Sequence, residues 1–193
     1  MRELVFFLEE PSAKAMLETL LPRMLDQSIT VRCVPFEGKQ DLEKQLTHKI
    51  RAYQNQRARF IVLRDQDSQP DCSAVKQRLL DLCEASGKAD YCLVRIACHE
   101  LETFYLADLA AVEQALTLKG LSGLQPSRKF KSPDQLGSPS RELKMLTKGA
   151  YEKVAGSRAI GRYLGVDNAR SPSFRNLIGA IRRMEDRLLQ EAE

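Results

Sequence analysis

The residues in this chain best suited to chemistry are carboxylates. Asp65 and Asp67 flank Gln66 at the end of an apolar run in FIVLRDQDSQPDC (60–72), and Glu9 and Glu10 follow a second run, LVFFL (4–8). On an extended chain two residues of like parity project to one side, so Asp65 and Asp67 share a face. Glu9 or Glu10 reaches the same corner if the two runs are neighbouring strands. At a separation of roughly 5 Å and an effective dielectric near 20, each carboxylate pair repels by about 3 kcal/mol. Such a cluster needs protons, basic side chains or a cation. Hard oxygen donors at a strand edge suit Mg2+ or Mn2+. The alternative is that the aspartates splay into solvent at an ordinary strand exit.

A further acidic pair, Glu100 and Glu102, lies in HELETFYLAD (99–108). Acidic residues are favoured in the first turn of a helix by its dipole, so the pair is consistent either with a site or with a plain helix start. Asp71 follows Pro70 and reads as a turn residue, with an outer place at the acidic cluster as its alternative. His99 reads as a helix-start residue or a donor to substrate.

Basic residues concentrate later in the chain. Residues 1–110 hold 15 Lys+Arg against 17 Asp+Glu, whereas residues 111–193 hold 15 against 9, within a net charge of +4. An acidic first part joined to a basic second part suits a metal centre beside a phosphate-binding surface, or simply a solvated basic face. In SRKFK (127–131), Arg128, Lys129 and Lys131 interleave with Phe130, a mixture that serves phosphate contact with base stacking or a solvated loop. Arg175, Arg182 and Arg183 on the last predicted helix reach phosphate or a partner protein.

Several chemistries are excluded or poorly supported. Five cysteines without a C-x-x-C pair and two histidines give no zinc or disulfide framework. No Walker loop or G-x-G-x-x-G occurs, so nucleotide hydrolysis would belong to a partner. Phosphoryl transfer of the haloacid dehalogenase type needs a nucleophilic aspartate after the first strand, where this chain has glutamates. No run approaches 18 apolar residues, so no membrane span is expected, and acidic residues follow the short N-terminal apolar run too soon for a secretory signal. A composition of 43% hydrophobic and 29% charged residues fits a globular, cytoplasmic protein.

The elements that must position these groups alternate. Strands are expected at 4–8, 29–36, 59–64 and 91–97, and helices opening at Pro11-Ser12, with serine as N-cap, and over 39–55, 73–86 and 99–117. Continuous apolar strands mark a sheet covered on both faces, and β-α alternation implies a mostly parallel one. In such sheets sites form beyond the carboxyl ends of the strands, where both acidic clusters fall. A Gly/Ser/Pro-rich stretch, 119–140, reads as a flexible loop, separating a core (1–118) from a helical extension (141–193) with helices at 141–155, 157–164 and 172–191, the last capped by Ser171 or Ser173.

A glutamate after the first strand and Asp-x-Asp after the third resembles the Toprim fold of topoisomerases, bacterial primases and overcoming-lysogenization-defect nucleases. More closely, LEEPS (8–12), DQD (65–67), HELETFYLAD (99–108) and RSPSFR (170–175) resemble, in order, the motifs of a Toprim-like bacterial family catalogued as domain of unknown function 4276. The resemblance implies a four-stranded Toprim-like α/β sheet with a helical C-terminal extension. It also implies Mg2+- or Mn2+-dependent cleavage of DNA or RNA, with Glu9, Asp65 and Asp67 as metal ligands and Glu9, Asp65, Asp67 and Glu100 as catalytic residues, Glu102 standing second to Glu100. Arg128, Lys129, Lys131 and Arg175 would bind substrate, and Ser173 matches the last motif. A partner ATPase and a role in phage defence are further implications; a non-catalytic binding or regulatory subunit is the alternative. Two positions depart from the family pattern: Glu10 replaces a glycine, adding charge and removing backbone freedom, and Phe104 replaces a tryptophan.

Overall fold

The two runs that end in carboxylates are the two central strands. The computed structural model describes residues 1–190 and places β1 (Glu3–Leu8), β2 (Thr30–Pro35), β3 (Ala58–Asp65) and β4 (Cys92–Ala97) in one sheet of order β2-β1-β3-β4. All three pairings are parallel, with Leu8 opposite Pro35 and Leu63, and Asp65 opposite Ala97. Every residue of β1 is buried, which is why its apolar run does not alternate. Leu4, Phe6, Leu8, Ile61 and Leu63 face one core. Val5, Phe7, Phe60 and Val62 face a second.

Helices α2 (Lys39–Arg51) and α3 (Cys72–Ala85) cover the second face through Leu42, Leu46, Ile50, Leu79 and Cys83. Helix α1 (Pro11–Leu20) covers the first, joined there by α4 (Glu102–Leu106), α5 (Leu109–Ala115), α6 (Pro139–Leu146), α7 (Lys153–Gly161) and α8 (Pro172–Gln190). The chain therefore leaves β1 toward one face and β3 toward the other. Their shared carboxyl end is the switch point of the sheet, the place where such folds open a crevice.

Several helix boundaries differ from the expected ones, each for a local reason. The N-cap of α1 is Glu10, with Pro11 at the first helical position, so Ser12 lies inside the helix rather than capping it. The single helix expected over 99–117 is two, because Asp108 interrupts it: one carboxylate oxygen accepts from the Ala111 amide at 3.1 Å and the other from Gly165 at 2.9 Å. The break expected near residue 156 falls instead at Lys148 and Gly149, both at positive φ. Gly156 stays helical and leaves room for the Tyr151 ring, whose Cδ2 would lie 2.5 Å from an added Cβ. Residues 119–140 form no long element, yet Leu121, Phe130 and Pro133 are buried. The buried Gln125 amide bonds Leu109 N, Leu106 O and Phe130 O at 2.7–3.1 Å. Ser171 caps α8, its hydroxyl accepting from the Phe174 amide at 3.1 Å. No helix among the described residues is long and apolar enough to cross a membrane.

The extension is fixed to the core where α7 crosses α1. Thr19 donates to Arg158 O at 3.1 Å, and Arg23 donates to Gly161 O and Leu164 O. A Cβ at Gly161 would stand 2.6 Å from the Met16 carbonyl oxygen and 2.4 Å from Thr19 Oγ1. Backbone cannot retreat as a flexible side chain does, so Gly161→Ala is expected to cost about 1–3 kcal/mol by overpacking, read as a lower midpoint in urea unfolding. An unchanged midpoint would mean that the crossing is looser than described.

Candidate active site

The carboxylates gather at the switch point, but on two sides of it. Glu9, 7% exposed, accepts the Asp65 amide at 3.0 Å through Oε2. Arg64, also buried, lies behind it, its Nε 3.7 Å from the same oxygen and its Nη1 bonded to Glu43. Burial pushes the Glu9 carboxyl above its ordinary range against the lowering effect of the Asp65 amide, and the Asp67 and Glu10 charges add to the rise.

Asp65 turns to the opposite face of the sheet. Burial raises its pKa well above the usual carboxylate range, followed by the charges of Glu9 and Glu102, while the Leu101 amide works the other way. Glu102 is 1% exposed and its pKa is likewise raised, first by burial. Tyr151 donates to Glu102 Oε1 at 2.9 Å and meets Ser157 at 3.2 Å, forming a buried polar network between α4 and α7. Lys153, the first residue of α7, is ion-paired with Glu10. Its own burial lowers its pKa, but Glu10, Glu102 and Asp65 outweigh that and raise it.

Asp67 does not share a face with Asp65 by simple alternation. β3 ends at Asp65, and Asp67 adopts φ +56°, so the extended geometry assumed from spacing stops before it. Its amide donates to His99 O at 2.7 Å, and its carboxylate pairs with Lys39 Nζ at 3.0 Å. His99 is itself left-handed at φ +60°. Two non-glycine residues held there mark strain stored between two loops at the same notch. The buried Gln66 side chain braces them, donating to Gln69 O at 2.7 Å and accepting from the His99 amide at 3.4 Å. Lys39, Asp67, His99 and Glu100 line an open pocket of about 570 Å³.

The remaining expected residues divide. Glu100 precedes α4 rather than opening it, and its Oε2 accepts the Ser140 amide at 2.6 Å, satisfying the start of α6. Asp71 is the N-cap of α3, accepting from Ser73. Arg128 is exposed, Lys129 pairs with Glu142 at 2.6 Å, and Lys131 lines a different pocket with Asp167 and Arg170. Phe130 is core, so it offers no face for base stacking. Arg175 is exposed on α8, and the Ser173 amide donates to Asp134 at 2.8 Å. Sequence reasoning missed Lys153, Tyr151 and Lys39. The first two are remote in sequence and carry no spacing signal. Lys39 was visible, since it opens the helix after β2 at the same sheet edge. Glu10 needs no glycine: its φ of −139° is ordinary extended backbone.

The profile of the family described as "Domain of unknown function (DUF4276)" matches residues 8–182. The chain belongs to this family. Among solved structures it is similar to the C-terminal region of the Burkholderia pseudomallei OLD protein, at TM-score 0.54 and 17% identity, over 96% of this chain and 98% of that one. No curated protein matches the sequence. The fold of the DUF4276 chain is Toprim-like, with the expected parallel sheet and C-terminal helices.

The raised pKa of Asp65 makes a prediction about stability without any cation. A carboxyl whose folded pKa lies above its unfolded value binds more protons when folded, so its ionisation erodes stability as pH rises above the unfolded value near 4. Asp65→Asn keeps the acceptor for the Leu101 amide and removes the charge. It is expected to raise Tm by several degrees at pH 7 in EDTA, with the gain vanishing as pH falls to about 4. An unchanged or lower Tm at pH 7 would refute the cost of ionising Asp65 where it is buried.

Proposed function

We propose that the notch is the centre of a metal-dependent nuclease, cleaving phosphodiester bonds of DNA or RNA with Mg2+ or Mn2+. The observation that carries this reading is that three buried carboxyls with raised pKa, Glu9 on one side of the sheet edge and Asp65 and Glu102 on the other, lie at the switch point of a Toprim-like sheet. The donors are all hard oxygens, which fit these cations. Among the described residues no three acidic, histidine or cysteine side chains form a ready metal cage. Glu9 and Asp65 would hold the cation, and Asp67 would join them on release from Lys39. When bound, the cation polarises the scissile phosphate and lowers the pKa of water.

The chain's own groups supply the rest. Glu9, with its carboxyl already raised and Arg64 behind it, is suited to taking or giving the proton at the attacking or leaving oxygen. Lys153 Nζ stands where a phosphate oxygen would meet a positive charge beside Asp65. Tyr151 fixes Glu102 so that this carboxyl cannot swing. Glu100, held by Ser140, contributes its second oxygen at the pocket rim. Arg128, Lys131 and Arg175 add exposed positive charge toward a polyanionic substrate. A partner ATPase and a place in phage defence extend the same proposal.

A non-catalytic binding or regulatory subunit is the second reading, and one observation favours it: the Lys39–Asp67 and Lys153–Glu10 pairs already answer part of the negative charge. Cleavage of plasmid, linear DNA and structured RNA with Mg2+ or Mn2+ separates the two. Glu9→Gln and Asp65→Asn are each expected to lower the rate by about 100-fold or more, and Mg2+ is expected to raise Tm in wild type but not in Asp65→Asn. Cleavage that survives Asp65→Asn would sink the nuclease reading, and a Tm shift without cleavage would favour the binding subunit.

A further inference from the structure

The seam between β4 and α8 carries a row of cations that the notch does not use. α8 packs against β4, the edge strand of the sheet. Arg95 of β4 donates through Nε to Asn176 O of α8 at 2.8 Å and through Nη1 to Val94 O at 2.7 Å. Arg187, three turns along α8, donates to Asp90 O at 3.3 Å, at the other end of the strand. Arg183 lies between them on the same side of the helix and is exposed. Beyond Arg95 toward the notch, Lys76 lines a pocket with Arg95, Cys98 and Asn176. The residue after Cys98 is His99, which lines the pocket at the acidic notch.

These four cations differ from those of the chain's surface cations that are ion-paired. Arg182, beside Arg183, is paired with Asp167, Arg78 with Glu43 and Lys129 with Glu142. Among the described residues neither Lys76, Arg95, Arg183 nor Arg187 is ion-paired with a carboxylate. Arg95 is half-buried, and its burial first, then the Arg183 charge, lowers its pKa. Asp134 lines the same pocket as Lys76 and Arg95; its Oδ2 accepts the Ser173 amide at 2.8 Å, while its Oδ1 is buried without a hydrogen-bond partner. Glu185 accepts the Asp26 amide at 2.7 Å. Asp186 is exposed on the same helix and offsets only part of the charge.

We propose that the β4–α8 seam is a phosphate track for nucleic acid, in which Lys76, Arg95, Arg183 and Arg187 meet the backbone of a strand whose next phosphates lie at the notch. The track rests on reading the notch as one that acts on nucleic acid, and it assigns the direction in which the substrate leaves it. Arg183 and Arg187 are one turn apart, about 6 Å along the axis, and Arg95 continues the line, an arrangement that follows a chain of charges rather than a single anion. The contacts fall on phosphates and not on base edges, so the track is indifferent to sequence.

The test is fluorescence anisotropy of labelled single-stranded and duplex oligonucleotides in EDTA across a salt series. Arg183→Gln, which removes no structural bond, is expected to weaken single-strand binding uniformly across sequences and to lower the slope of log K against log salt by about 0.7. Arg95→Gln/Arg183→Gln is expected to lower it by about 1.4, while the control Lys14→Gln/Lys49→Gln binds as wild type. Unchanged affinity and slope in Arg183→Gln would overturn the track, as would equal loss in the control. Binding to polyglutamate but to neither oligonucleotide would overturn it in favour of an acidic polypeptide. Since EDTA separates binding from cleavage, wild type that binds through these arginines yet never cleaves would leave the track standing and sink the nuclease reading.

Discussion

The structure depends on one constraint: β1 and β3 pair in parallel, yet their following helices depart to opposite faces. That divergence leaves the carboxyl ends of two buried strands uncovered between α1 and α3. Such an opening beyond the carboxyl ends of the strands lets the chain place charged groups beside the core. The Glu9–Asp65 amide bond closes the gap between the strands and also divides the acids. Glu9 falls with Arg64 and Glu43 on the α2–α3 side, and Asp65 with Glu102 and Lys153 on the other.

This division explains why so acidic a corner persists in a folded chain. The acids are answered by three cations, each from a different part of the sequence. Arg64 is local to β3, Lys39 opens α2, and Lys153 arrives from the extension. The Glu10 departure from the family pattern belongs to the same balance. Its charge is answered by Lys153, and its extended backbone asks nothing of glycine. The similarity to the OLD protein's C-terminal region spans nearly all of both chains at low identity, as expected when topology rather than particular side chains is shared.

Much of this was legible in the sequence because the central strands have no choice of neighbour. LVFFL and FIVL are buried on both sides, so their apolar runs declared them, and with them the placement of Glu9 and Asp65. The helix boundaries were less legible because their deciding groups act at a distance. Asp108 breaks a helix by bonding Gly165, and Gly156 stays helical for the sake of a tyrosine ring. Spacing misplaced Asp67 because periodicity holds only while a strand lasts, and β3 ends two residues before it. Phe130 looked like a stacking platform among basic residues, but an aromatic in a polar loop also finds the core when one is near. Lys153 had no sequence signal at all, since its role exists only once α7 lies on α1.

That last contact has a consequence for how the chain can vary through descent. The backbone approach at Gly161 fixes the register of α7, and so the place at which its first residue meets the acids. A lineage that recombined its sheet with a foreign tail would inherit Glu10, Asp65 and Glu102 without the lysine and tyrosine that offset and hold them. Head and tail therefore work as one unit at the acids, even though a Gly/Ser/Pro-rich stretch between them looks like a natural joint.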